Sequence, residues 1–154
     1  MKKITRAGVI PFSIHRNEIW LLLSEDLKTG EKGDFGGGKK EKEEPYQAAI
    51  REAREESNGL LLLENLERQP HFSIQYKKAV IYFAPFTFDS LIRLRDSFRT
   101  MGGNKEVKNM HILPLNSIWA DRNNSHNMWP FIKKILVENR PYLDRNRFVG
   151  VFCD

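Results

Sequence analysis

The sequence predicts an α/β fold, and three observations carry that prediction. Two β-rich apolar runs open the chain, from Ile4 to Ile14 and from Glu18 to Ser24. A glycine-rich turn then leads into an amphipathic helix, and a second pair of β-rich runs precedes further helical patterns. Strands interleaved with helices in this way form a sheet with helices packed on it. The 154 residues, 40% hydrophobic and 11% aromatic, suffice for one domain over positions 1–154 with a core of its own.

Each element has its own signal. The first run is interrupted by Gly8 and by Pro11, which suits an edge or a bulge because it lacks an N–H. After a turn at His15-Arg16-Asn17, Glu18 to Ser24 is a continuous apolar run of the buried-strand type. Glu25 to Gly33 is polar and bounded by glycine, hence a loop. Asp34 to Gly38 brings consecutive glycines, which let a backbone approach a ligand closely; Phe35 belongs to the core. Pro45 fits a first helical turn, Glu43 and Glu44 favour its positive end, and Asn58-Gly59 closes the helix.

Leu60 to Leu63 reads as a short strand, and His71 to Tyr76 with Ala79 to Phe88 reads as a hairpin turned at Lys77-Lys78. Its aromatics, Phe72, Tyr76, Tyr82, Phe83, Phe86 and Phe88, are core residues, with one or two free to stack on a base. Ser90 to Met101 is an amphipathic helix, capped by Ser90, burying Leu91, Leu94, Phe98 and Met101 and stopped at Gly102-Gly103. Its other face, with Arg93, Arg95 and Arg99, is a solvated surface and the best single patch for a polyanion. Glu106 to Leu115 is a late strand, and Asn116 to Asp121 is a helical turn. Met128, Phe131, Ile132, Ile135, Leu136 and Asn139 form one face of a last helix ending at Pro141. Phe148 to Phe152 is an apolar tail that would add an edge strand or cover a partner.

The chemistry concentrates between Gly33 and Gly59. At about 100° per residue, Glu52, Glu55 and Glu56 share one face of the helix, beside an arc of Tyr46, Ala49, Ile50 and Ala53 that packs on a sheet. Hard carboxylate oxygens so placed suit Mg²⁺ or Mn²⁺. Alone, E-x-x-E-E is an ordinary solvated face. The glycine turn before it, Glu43 at its distance and Arg51 beside Glu52 change that reading.

The stretch resembles the Nudix box, whose pattern is G, five residues, E, seven residues, then R-E-U-x-E-E-x-G-U, with U a bulky apolar residue. Gly37, Glu43, Arg51, Glu52, Glu55 and Glu56 fall at the required spacing. The departures are Asn58 in place of the last glycine, with Gly59 one place later, and Ala53 at a bulky position. Gly38-Lys39 imitates the family's glycine–lysine pair while the spacing selects Gly37, so either carbonyl is a candidate to face a metal. The resemblance implies a Nudix-like α/β/α sandwich with a mixed sheet between helices. It also implies divalent-metal hydrolysis of a diphosphate linkage in a nucleoside diphosphate joined to another moiety. On that footing Gly37, Glu52, Glu55 and Glu56 would hold metal, and Glu43 and Arg51 would brace the loop. One of the helix carboxylates or Glu106 would take a proton from water. Glu25, Asp26 and Lys28, which precede the box, are candidates for shaping the substrate pocket.

Substrate choice lies outside the box. A net charge of +5 and a pI near 9.4 favour anionic partners, and Lys39, Lys40 and Lys42 are candidates to meet phosphates or to offset neighbouring glutamates. Small nucleotides or nucleotide sugars lead. Capped RNA and diphosphoinositol polyphosphates follow, and a non-catalytic nucleotide or RNA sensor is the reading from another class. A single cysteine, Cys153, excludes an internal disulfide and points to a reducing compartment. With no apolar run of membrane length and no signal-peptide pattern, the expected location is cytoplasmic. His15, His71, His111 and His126 lack metal-ligand spacing, and the oligomeric state is left open.

Overall fold

The structure, a computed structural model, describes residues 3–152; Cys153 lies outside them. In chain order the elements are β1 (Arg6–His15), β2 (Glu18–Asp26), β3 (Lys32–Gly33), β4 (Phe35–Gly38), α1 (Pro45–Glu56), β5 (Phe72–Tyr76) and β6 (Ala79–Pro85). They continue with α2 (Phe88–Met101), β7 (Val107–Pro114), α3 (Leu115–Ala120), α4 (Pro130–Glu138) and α5 (Arg145–Phe152).

The strands form one mixed sheet with β1 at its centre. On one side β1 runs parallel to β6, and β5 closes that edge antiparallel to β6. On its other side β1 pairs antiparallel with β4 through its first half and with β2 through its second half. β2 in turn carries β3 and β7. Strand periodicity then sorts the core into two layers. Ala7 and Val9 of β1 and Leu22 of β2 join the cluster under α1 and α2. Ile10, Phe12, Leu21 and Leu23 join the cluster under α3, α4 and α5. Both faces are covered, which is why Glu18 to Ser24 reads as a continuous apolar run and the architecture is an α/β/α sandwich.

α1 starts and stops as its residues dictate. Glu44 and Gln47 form a reciprocal capping box ahead of Pro45. Beyond Ser57, Asn58 adopts the left-handed conformation at φ 56°, followed by Gly59 at φ 79°. Asparagine therefore does the work of a helix-ending glycine at that place.

Several expectations are corrected. Pro11 is not on an edge strand: it sits inside β1, opposite Ala84. The Arg6 N–H and Phe12 carbonyl both point to the β6 side, so Pro11's missing donor faces the other side, in the gap between β4 and β2 pairing. Asp34 to Gly38 is not a free turn, because Phe35–Gly38 pairs with Arg6 to Val9 as β4. The Glu25–Gly33 segment is a loop only in its middle, since β2 extends to Asp26 and β3 pairs with it. Leu60 to Leu63 is not a strand. Leu61 and Leu63 are buried in the α1–α2 layer, and Ser57 Oγ accepts the Leu61 N–H, so the run covers the core without a ladder.

The sixth strand ends at Pro85, before Phe88, and Thr87 rather than Ser90 caps α2, accepting the Ser90 N–H. Met101, placed inward by periodicity, is 54% exposed. The tail around Phe148 is helical, and Phe148 inserts edge-on against Phe12 and Phe72 of the chain's own core. No helix of the described residues is long and apolar enough to cross a membrane.

Candidate active site

The last two turns of α1 face β4, and Arg51 ties them together. Its guanidinium donates to both oxygens of Glu43 at 2.8 and 2.9 Å, to Glu52 Oε1 at 2.9 Å and to the Gly38 carbonyl at 3.0 Å. Glu43 also accepts the Lys40 N–H. The bond from Arg51, aided by that N–H, holds the Glu43 carboxyl down to a pKa of about 2, and the same hydrogen bond raises the Arg51 pKa. Loop and helix are thus braced through one planar cation, as the bidentate geometry of arginine allows.

That brace fixes Glu52 against the glycine strand. A Cβ on Gly37 would lie 2.6 to 2.7 Å from the Glu52 carboxylate, so a side chain there would displace that carboxylate from its place. Gly38 has nothing near its Cβ position, and its carbonyl is engaged by Arg51. Burial raises the Glu52 pKa, with Glu55 and Glu106 adding to the effect and Arg51 opposing it. Glu56 is buried more deeply and accepts the Gly36 N–H at 2.9 Å. Burial first, then the neighbouring Asp34 and Glu52 carboxylates, push Glu56 up to about 9. Glu55, the third carboxylate of the predicted face, has a side chain 55% exposed and stands 3.7 Å from Arg51.

Glu56 opens onto a cleft of about 470 Å³, which Glu106 also lines from the residue just before β7. Asp26 and Lys28 line it too, whereas Glu25 turns away and pairs with His111 at 2.6 Å. Lys39, Lys40 and Lys42 lie outside it. The Lys39 ammonium donates to carbonyls of its own loop, including Glu43 O at 2.9 Å, and Lys40 and Lys42 are exposed. On α2, Arg95 and Arg99 gather on Asp96, away from the cleft, and Arg93 borders a separate shallow groove.

Sequence reasoning missed the wall opposite α1. Asp34, its side chain 1% exposed, holds Arg6 through two bonds of 2.7 Å. The guanidinium lies over Trp129 at 4.9 Å, and all three line the cleft. Burial lowers the Arg6 pKa, but Asp34, Glu56 and Glu52 outweigh it and the net shift is upward. Cβ atoms on Gly8 and Gly36 would collide with the Asp34 carboxylate, so both glycines exist to admit it. The one available signal was glycine inside an apolar strand, which marks a close approach.

Among the described residues, no three histidine, cysteine or carboxylate groups converge into a complete metal cage. A magnesium ion does not need one, since it is commonly held by one or two carboxylates with water and substrate phosphates completing the shell. Glu52 and Glu56, both oxygen donors and both repelled by neighbouring carboxylates, fit that requirement.

No family model matches the chain, and no curated protein matches it. Solved structures do. A mutT/nudix family protein from Listeria innocua superposes with a TM-score of 0.66 at 13% identity, covering 97% of this chain and 99% of that one. The Ap4A hydrolase of C. elegans, in a binary complex, gives 0.56 at 16% identity over 91% and 97% of the two chains. The NUDIX domain of NrtR from Shewanella oneidensis, complexed with ADP ribose, gives 0.52 at 15% identity over 94% and 90%. At such identities the likeness concerns the path of the backbone, and over nine-tenths or more of its length this chain has the Nudix fold.

Proposed function

We propose that this chain is a divalent-metal-dependent Nudix hydrolase that cleaves a diphosphate linkage in a nucleoside diphosphate joined to another moiety. The observation that carries the reading is the Arg51 hub, which sets Glu52 against Gly37 while Glu56 borders the adjoining cleft. Glu52 and Glu56, with the exposed Glu55, would hold Mg²⁺ or Mn²⁺, and the Gly37 backbone, which passes close to the Glu52 carboxylate, would supply the main-chain ligand. A bound divalent ion there supplies neutralisation of phosphate oxygens and acidification of water. Water adds to one phosphorus, the bridging P–O bond breaks, and the departing phosphate leaves with the bridging oxygen. A carboxylate at the cleft, Glu106 or one of the α1 group, takes the water's proton.

Charge in the cleft favours a small nucleotide. Its carboxylates are Asp26, Glu31, Asp34, Glu56 and Glu106, against Arg6, Lys28 and Lys105, with Arg6 already paired. A diphosphoinositol polyphosphate would need the reverse balance, and the lysine loop meant to supply it lies outside the cleft. One neighbour of the fold is an Ap4A hydrolase and another is complexed with ADP ribose, which supports the same choice. The test is a product assay with Mg²⁺ and Mn²⁺ across ADP ribose, dinucleoside polyphosphates, nucleotide sugars, capped RNA and diphosphoinositol polyphosphates. Turnover confined to the last two would replace the nucleotide reading. Tight nucleotide binding with no turnover would favour a sensor.

A further inference from the structure

The place where the chain departs from the box is also where its site is fastened. Asn58 stands at the end of α1 where the resemblance has glycine, and its side chain is not idle. Its Oδ1 accepts from Asn104 Nδ2 at 3.0 Å, and its own amide donates to Gly103 O at 3.3 Å. Asn104 Nδ2 also donates to Glu56 O at 3.1 Å, on the last residue of α1. At the other end of the same side chain, Asn104 Oδ1 accepts the backbone N–H groups of Glu106 at 2.9 Å and Val107 at 2.8 Å.

An asparagine amide has two donor hydrogens and two acceptor lone pairs, and here every one is used. Rotating the amide would set its NH₂ against two N–H groups, so one orientation is fixed. The segment is closed further by the Asn104 N–H on Val107 O at 2.9 Å and by the Leu27 N–H on Glu106 O at 2.9 Å. Gly103, at φ 75°, would put a Cβ 2.8 Å from Val107 O, so the chain has no slack there. The Glu106 backbone is thereby held on both sides, by α1 through Asn104 and by the cleft loop through Leu27.

We propose that Asn104, supported by Asn58, is a positioning residue that fixes Glu106 at the mouth of the cleft relative to Glu56. The proposal rests on the hydrolase reading for its catalytic consequence but not for its structural one. It also predicts something the resemblance does not. Asn58→Gly restores the pattern of the box, and glycine adopts the left-handed conformation more easily. If backbone shape were all that mattered, that variant would be neutral or better. Loss of the Asn58 side chain instead removes one of Asn104's four partners, so the clasp should loosen.

The experiment has two arms on the full chain. In the metal-free protein, residue-resolved amide hydrogen exchange compares wild type, Asn104→Ala and Asn58→Gly. Glu106 and Val107 amides should exchange about tenfold faster in Asn104→Ala, the equivalent of one lost hydrogen bond, and about threefold faster in Asn58→Gly. The Gly36 amide, held by Glu56, should not change. In the second arm, kcat and KM are measured for wild type, Asn104→Ala, Glu106→Gln and the double variant on the best substrate of the panel. Asn104→Ala should lower kcat about tenfold with KM within about twofold, and the double variant should be no slower than Glu106→Gln alone. Unchanged exchange at Glu106 and Val107 in both variants overturns the clasp, and additive losses overturn its action through Glu106. A wild type that turns over no diphosphate defeats the hydrolase reading instead, and the exchange arm then decides the clasp without it.

Discussion

Replacing Arg51 by alanine removes the hub of the site, and the loss can be worked from its contacts. The side chain makes two bonds to Glu43, one to Glu52 and one to the Gly38 carbonyl. A hydrogen bond to a charged group contributes about 1.5–3 kcal/mol. These groups are partly solvated, with Arg51 at 23% and Glu43 at 18% side-chain exposure. Water therefore recovers part of the loss, and about 2 kcal/mol is expected instead of the roughly 3–5 kcal/mol of a fully buried broken pair. In a chain of this size that lowers Tm by roughly 4–8 °C. The effect also has a pH signature. Glu43 is held at about 2 against an ordinary 4.5, so its contribution is complete above 4.5 and disappears as pH falls through 2. Calorimetry on both proteins at neutral pH and then stepwise into acid should show a constant Tm gap that closes below 4.5. A gap under about 1 °C at neutral pH, or one that persists undiminished near pH 2, refutes the argument.

Glu56→Gln should leave the metal-free protein folded and flatten its pH dependence. Because the folded Glu56 titrates near 9 and the unfolded one near 4.5, wild-type stability should decline as pH rises between them; urea denaturation at two pH values in that window checks this, and equal slopes for both proteins would contradict it. If Glu56 holds Mg²⁺ as proposed, the ion displaces the same proton, so its affinity for wild type should climb with pH up to about 9, as calorimetric titration would show. Gly8→Ala drives a methyl group into the Asp34 carboxylate and should cost about 2 kcal/mol in urea denaturation, while Gly38→Ala, with open space at its Cβ, serves as the neutral control. Neutralising Arg93, Arg95 and Arg99 together should leave KM for a small nucleotide within about threefold, because charges away from the cleft are screened within roughly 8 Å. If capped RNA is the substrate, the same variant should instead shallow the salt dependence of binding by about 0.7 per lost phosphate contact.

What could be read from the sequence follows from how far apart the cooperating residues lie. α1 was legible because its signals are local: Pro45 at the start, a period of 3.6 through Ala49 and Ala53, and Asn58 at the end. The Glu43–Arg51 brace was expected from the resemblance, whose pattern spans one loop and the helix that follows it, and both bonds are present. Leu60 to Leu63 misled because four consecutive leucines carry no period to separate strand from other structure, and the segment is laid over the core with Leu61 and Leu63 buried. The helix around Phe148 was misread because a short apolar run carries no period of its own and is ambiguous between strand and helix. Phe148 is buried there while Val151, one turn later, only packs against the cluster.

The Arg6–Asp34 pair shows why the rest of the site stayed hidden. Its members are 28 positions apart, and they meet only because β4 folds antiparallel onto β1. Neither residue type nor spacing marks them; the trace they leave is the glycine opposite the carboxylate, at Gly8 and Gly36. The same logic applies to Asn104, which lies 46 positions from Asn58 and 48 from Glu56 and whose amide has no period to betray it. An acidic helix face announces itself in one dimension because its members repeat. The groups that aim it do not repeat, since each answers to a neighbour that only the closed sheet supplies. That is why the acidic helix could be read from a single stretch and the wall of the cleft could not.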